Sequence, residues 1–331
     1  MVEINQNQCI LAGESLQEIN VNPAFLQREF INVRANEETR MRALFFAVAI
    51  CHQTHTLYNS NTGATGWEYI EEVFLRLMKT DDPLLNPTYI NSLNKEMLAN
   101  SLRIEFSHSR LPEDTTLDRI SERVELIKEL SIFVLENFNG SYAALLASTD
   151  KKLANTENGY YNILGQTRTF GDLHKKKSIF LYKLLHDSNL YQATDIQHTL
   201  PIMDYHMQRV LLRLGCVEIK DIALRKAILH RQKLSSDEPI RSACIDAIKI
   251  IARVSGHSIL SMNDFFWPLG RSCCNETPVC QSGQCSKTPC SFSNLTTYPP
   301  HTRCIFQNFC TGAEDLNYSL LWEPIVDTHY Y

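Results

Sequence analysis

The sequence predicts an all-α fold, a globule of many helices carrying a cysteine-rich C-terminal segment, and three observations carry that expectation. Glycine and proline are sparse, at 12 each in 331 residues, which disfavours a loop-rich β-sandwich. Apolar residues recur at helical spacing through long stretches, and no segment shows the strict alternation of a half-buried strand. The hydrophobic fraction is 44%, enough to fill a substantial core.

The elements follow in order. NEETRMRALFFAVAICHQT (36–54) has helical apolar spacing and opens on Asn36, a good cap. A polar loop (58–66) leads to a second helix at 67–79, and DDPLLNP (81–87) breaks the chain. Helices are expected near 88–100, 114–138 and 141–148. Residues 149–171 read as a connection. Helices resume at 174–188, 203–215, 221–232 and 238–256, the last stopped by Gly256. NDFFWPLGRSCC (263–274) leads into the cysteines. These elements suggest a helical body over 1–270 and a cysteine-rich module with a tail over 271–331.

Formal net charge is −5, which alone speaks against a nucleic-acid binder. The distribution differs: residues 165–235 hold 12 Lys/Arg against 6 Asp/Glu, a basic stretch able to attract phosphates. No apolar run reaches the length of a membrane span. The first residues lack the basic start and apolar stretch of a signal peptide, so a cytoplasmic location is expected. Of 11 cysteines, seven lie between Cys273 and Cys310. Clustered thiols with no export signal read as metal ligands rather than disulfides. The set expected is Cys273, Cys280, Cys285 and Cys290, with Cys274, Cys304 and Cys310 in reserve. Four thiolates suit a [4Fe–4S] cluster or a structural zinc.

PIMDYHMQRVLLRLG (201–215) places Asp204 at the first turn of an apolar helix. Alone, that reads as a helix cap. The segment Asp204, His206, Arg209, Val210, Gly215, followed by a Trp-x-x-Gly-Arg turn (267–271) and cysteines, resembles the helix-hairpin-helix DNA glycosylase superfamily of iron–sulfur type. The resemblance covers about residues 170–290 and touches the archaeal 8-oxoguanine and α-glutamyl/putrescinyl thymine pyrophosphorylase-like branches. It implies a glycosylase-like fold, an iron–sulfur cluster, DNA as partner, and excision of a modified base, with an antiviral role against modified phage DNA as one expectation.

Under that resemblance Asp204 stabilises charge building on the sugar and activates a nucleophile. Lys177, in a Lys-Lys-Lys-Ser run, would be the attacking amine of a strand-cleaving member, and a solvated basic run is the plainer alternative. Gln53, Trp67 and His52 would hold a flipped base. Lys175, Lys176, Arg209 and Arg271 would contact DNA. Residues 178–203 contain no glycine, so the family's Gly-rich hairpin is altered or absent. That departure, with the net acidity, keeps open an enzyme of the same fold acting on free nucleosides or making modified bases. A non-enzymatic, metal-stabilised DNA-binding module is a third reading.

Overall fold

A computed structural model describes residues 1–154 and 157–331. The protein is mostly helical, as its composition predicts. Its longer helices are α1 (Gln6–Leu16), α2 (Glu37–Ala49), α3 (Trp67–Thr80), α4 (Lys95–Glu105), α5 (Ile120–Phe138), α6 (Lys176–Asp187), α7 (Tyr205–Leu214), α8 (Glu238–Ser255) and α9 (Ile259–Pro268). No described helix is long and apolar enough to cross a membrane.

The chain forms two compact units. A central unit comprises Gln27–Thr199 with Thr328–Tyr331, and a terminal unit comprises Met1–Leu26 with Leu200–Asp327. The expected division near residue 270 is therefore not where the chain divides. The cysteine-rich segment shares its core with α7, α8 and α9, because Phe266, Phe292 and Phe306 are all buried there.

In the central unit, α2 is nearly wholly buried from Ala43 to Ala49 and packs against α3, α5 and α6. Asn36 caps α2 as expected, its side chain accepting from the Thr39 N–H at 2.7 Å. The single helix expected over 88–100 is instead two, Pro87–Ser92 and α4. Asn94 makes the break by accepting from the Met97 N–H at 2.8 Å, which starts a new helix. The connection over 149–171 contains two short helical turns, Tyr160–Gly165 and Arg168–Phe170. Residues 155 and 156 within it lie outside the described residues.

In the terminal unit, α1 lies along α8. A Cβ on Gly13 would sit 2.6 Å from Val254 Cβ, so glycine is required for that approach. Val2–Ile4 and Val217–Ile219 pair antiparallel, Val2 opposite Ile219. Lys233–Leu234 and Ile325–Val326 pair in parallel. These strands are two or three residues long, too short for alternation to show in the sequence.

Candidate functional site

Asp204 is the N-cap of α7. Its Oδ1 accepts from the Met207 N–H at 3.0 Å, and the residue is 7% exposed. The helix starts there because Pro201 precedes it and Asp204 takes up one of the first free N–H groups. The N-terminal end of the helix dipole favours an ionised carboxylate at this place. Beside it, burial pushes the Tyr205 hydroxyl well up, with the Asp204 and Glu323 carboxylates adding to the effect. Tyr205 therefore stays a proton-carrying donor. Gly270 lets the next chain close on this turn: a Cβ there would lie 2.7 Å from the His206 carbonyl oxygen.

Arg209, expected to meet DNA, points inward and is 1% exposed. Its guanidinium donates to the carbonyls of Gly270 at 2.7 Å and Cys274 at 3.0 Å. It also pairs with Glu323 and lies over Trp322, 4.5 Å from the ring centroid. Arg213, one turn on, donates to the carbonyls of Leu321 at 2.8 Å and Asn275 at 2.6 Å. Trp322 thus lies among Arg209, Arg213 and Arg231, a role for the aromatic tail that the sequence did not reveal. Arg271 lies over Trp267 at 5.0 Å.

Cysteines 273, 285 and 290 come together as expected, but the fourth member of their group is His301, not Cys280. Cys273 Sγ is 3.6 Å from Cys285 Sγ, 3.4 Å from Cys290 Sγ and 3.4 Å from His301 Nε2. All four donor atoms lie within 4.8 Å of one another. A wide helical turn over Leu269–Cys273 presents the first cysteine. His301 Nδ1 is 3.1 Å from the Pro299 carbonyl oxygen. Donation of Nδ1–H to that oxygen fixes the tautomer that leaves the Nε2 lone pair facing the thiols. The Cys273 thiol donating to Cys290 holds the latter down at about 4, while Cys273 itself is pushed up. This Cys3His group is suited to bind a metal ion.

The central unit holds the remaining expected residues. Lys177 is 0% exposed, and its Nζ donates to the Ala49 carbonyl at 2.5 Å. Burial pushes it down to about 7, with Lys176 and Arg123 contributing. Lys176 is buried too, so the basic run is not the solvated face that the plainer alternative supposed. Lys175 is half-buried. Arg123 completes the end of α2, donating to the carbonyls of His52 at 3.0 Å and Ile50. Two buried cations thus satisfy carbonyls that α2 leaves free at its C-terminus.

His52 is fully buried, with Nε2 3.2 Å from Glu122, so its ring cannot face a base. Burial holds it neutral, well below the usual histidine range, and Lys177 and Arg123 add to that. The Gln53 amide oxygen accepts from Arg119. Trp67 is half-buried and meets Phe180 edge-on at 4.7 Å and Phe30 at 6.0 Å. Its indole N–H donates to Glu71 at 2.5 Å. Burial raises the Glu71 carboxyl, and the Arg28 guanidinium opposes that rise. Trp67 is therefore the expected base-side residue that retains a partly open aromatic surface.

No curated protein matches the chain. The family model that matches is described as the queuosine salvage protein, and it covers residues 44–264. That span takes in Gln53, Trp67, Lys177 and Asp204 and stops before the first clustered cysteine. It overturns the assignment to the helix-hairpin-helix DNA glycosylases, and with it base excision from DNA and the antiviral role. The short motifs around Asp204 and Trp267 are too few to fix a family, whereas the match extends over two thirds of the sequence. The chain belongs to the queuosine salvage protein family.

Proposed function

We propose that this protein recovers the base of queuosine by hydrolysing the bond between base and ribose in the free nucleoside or its phosphate, with Asp204 as the reacting carboxylate. The observation that carries this reading is the placement of Asp204, at the capped start of α7, inside the stretch that matches the queuosine salvage family. Salvage requires that a base be separated from its sugar or handed on intact, and a buried carboxylate on a helix N-terminus suits the former.

The chemistry follows from the bond. As the base leaves with the bonding electrons, positive charge develops at the sugar C1′ and its ring oxygen. A carboxylate held beside it stabilises that charge, and a positioned base of this kind contributes about 10²–10⁴-fold. Water then adds to C1′, giving its proton to the carboxylate. The departing base takes up a proton, so water is divided between the two products. Queuosine carries a 7-deazaguanine, which has a carbon where guanine has N7. Protonation at N7 cannot assist its departure, and more of the barrier falls on stabilising the sugar cation.

Zinc is the metal we assign to Cys273, Cys285, Cys290 and His301, in a structural role. A Zn–S bond of about 2.3 Å implies ligand separations of ~3.8 Å around a tetrahedron. The sulfur–sulfur separations of 3.4 Å (Cys273–Cys290) and 3.6 Å (Cys273–Cys285) are close to that. A four-iron cube carries one thiolate per corner and holds them farther apart. The bound ion ties the C-terminal segment to the core and takes no part in bond cleavage.

The test is incubation of the purified protein with queuosine, its 5′-phosphate and DNA-free controls, followed by chromatographic detection of free base. Stoichiometric release of base and sugar supports the reading. Intact nucleoside and nucleotide after prolonged incubation with folded, metal-loaded protein would refute it.

A further inference from the structure

Breaking a bond at C1′ makes two demands, and a carboxylate meets only one of them. The electron pair stays with the base, so negative charge grows there while positive charge grows on the sugar. The first turn of α7 holds a residue suited to the second demand. His206 lies two positions after Asp204 and is half-buried. Side chains two apart on a helix diverge rather than face each other, which suits groups that must flank one bond from different sides. Half-buried Tyr205 and Trp267 form an aromatic wall with it. The Tyr205 ring lies 4.3 Å from the imidazole, and Trp267 meets it edge-on at 6.4 Å.

The imidazole is fixed from its inner side. Arg209 Nη2 lies 3.1 Å from His206 Nδ1. A guanidinium has donors only, so Nδ1 accepts and the ring proton sits on Nε2. Arg209 is itself held: it is 1% exposed, donates to the Gly270 and Cys274 carbonyls and pairs with Glu323. Gly270 closes on the backbone of the same histidine, where a Cβ would lie 2.7 Å from the His206 carbonyl oxygen. Ring and backbone of His206 are thus both pinned. With Nδ1 occupied as an acceptor, the imidazole serves as a neutral donor and not as a two-proton acid.

We infer that His206 is a second catalytic residue, a neutral Nε2–H donor to the departing base, and that Arg209 is the positioning residue that holds it in that tautomer. The inference rests on the base-releasing reaction proposed above. As the bond from C1′ to the base nitrogen breaks, its electron pair moves onto the base. The Nε2–H hydrogen bond stabilises that charge without giving up its proton. The proton that the base finally takes derives from the water added to C1′, so His206 ends the cycle unchanged. A neutral imidazole can act as an electrophile in this way. The demand is acute for a 7-deazapurine, which has no N7 to protonate.

Nitrogen NMR of the full chain carrying isotope-labelled histidine reads the tautomer directly, with His206→Gln identifying the signal. Wild type should show His206 protonated at Nε2 alone, and Arg209→Met a mixture of both tautomers. Release of base from queuosine or its 5′-phosphate should fall about 10²-fold in kcat in His206→Phe, with KM within about twofold of wild type. His206→Gln, whose side-chain N–H can stand where Nε2–H stood, should recover most of that loss. Arg209→Met should lose kcat in the same way. A wild-type His206 carrying its proton on Nδ1, or on both nitrogens, overturns the inference even if no variant folds. So does wild-type kcat in folded His206→Phe. Absence of base release by the wild type refutes the proposed function and the role of His206 with it, and the tautomer measurement tells that failure from a failure of the inference alone.

Discussion

At the residue scale, the proposed function gives Asp204 a second task beside the one its geometry shows. As a cap it accepts the Met207 N–H. As a reacting group it needs a negative charge. Asparagine caps as well as aspartate, and alanine does not cap. Asp204→Ala should therefore lower unfolding stability by about 1 kcal/mol, while Asp204→Asn should leave it nearly unchanged. Urea denaturation of the two variants checks this, and equal losses in both would show that the carboxylate charge, not the cap, stabilises α7. Lys177 offers a pH test. Its folded value is about 7, against roughly 10.4 for an unfolded lysine. Between these values the unfolded chain binds the extra proton, so stability should rise with pH across that window. Lys177→Met has no such proton to release. The difference in stability between wild type and Lys177→Met should shift in favour of the wild type from pH 7 to pH 10. A pH-independent difference would mean that the buried ammonium stays charged throughout.

At the scale of the element, α7 was the most legible part of the sequence. Pro201, Asp204 and Gly215 mark its ends, and the structure places it at Tyr205–Leu214. The direction of its arginines was less plain. Arg209 and Arg213 are one turn apart and face the C-terminal segment, because Trp322, Glu323 and several carbonyls meet them there. Nothing local in 201–215 announces partners more than a hundred residues away. The lysine run was readable after all. Lys177 shares a helical face with Leu181, Leu184 and Leu185, all buried, and the 3.6-residue period places it with them rather than in solvent. The metal group was half legible. Three cysteines were found by spacing, but the regular series of thiols also drew in Cys280, which stands outside the group. His301 follows Pro299-Pro300 at no recognisable interval. His301→Ala should abolish metal at the Cys3His group and lower the melting temperature by about 10 °C or more, given the free energy that a structural zinc contributes. Melting at the wild-type temperature with metal lost would show that the ion holds no tertiary structure.

At the scale of the molecule, the all-helical class followed from composition and periodicity, while the division into two units did not. The terminal unit is built from both ends of the chain, and a linear reading cannot see that Val2–Ile4 pairs with Val217–Ile219. The family was misread for a related reason. A carboxylate at a helix start and a cysteine cluster are generic parts, and their order along a sequence is weak evidence beside a match over residues 44–264. The clustered cysteines, from Cys273 on, lie beyond the residues that the family model matches. The missing glycines and the net acidity keep open a nucleoside substrate, and that alternative is the one the proposed function takes up.

The most direct measurement is the rate of base release from queuosine by wild type and Asp204→Asn at matched stability and metal content. The account predicts a loss of about 10²–10⁴-fold in kcat for the variant with its fold intact. Equal rates in the two proteins would leave Asp204 as a helix cap alone and contradict the assignment.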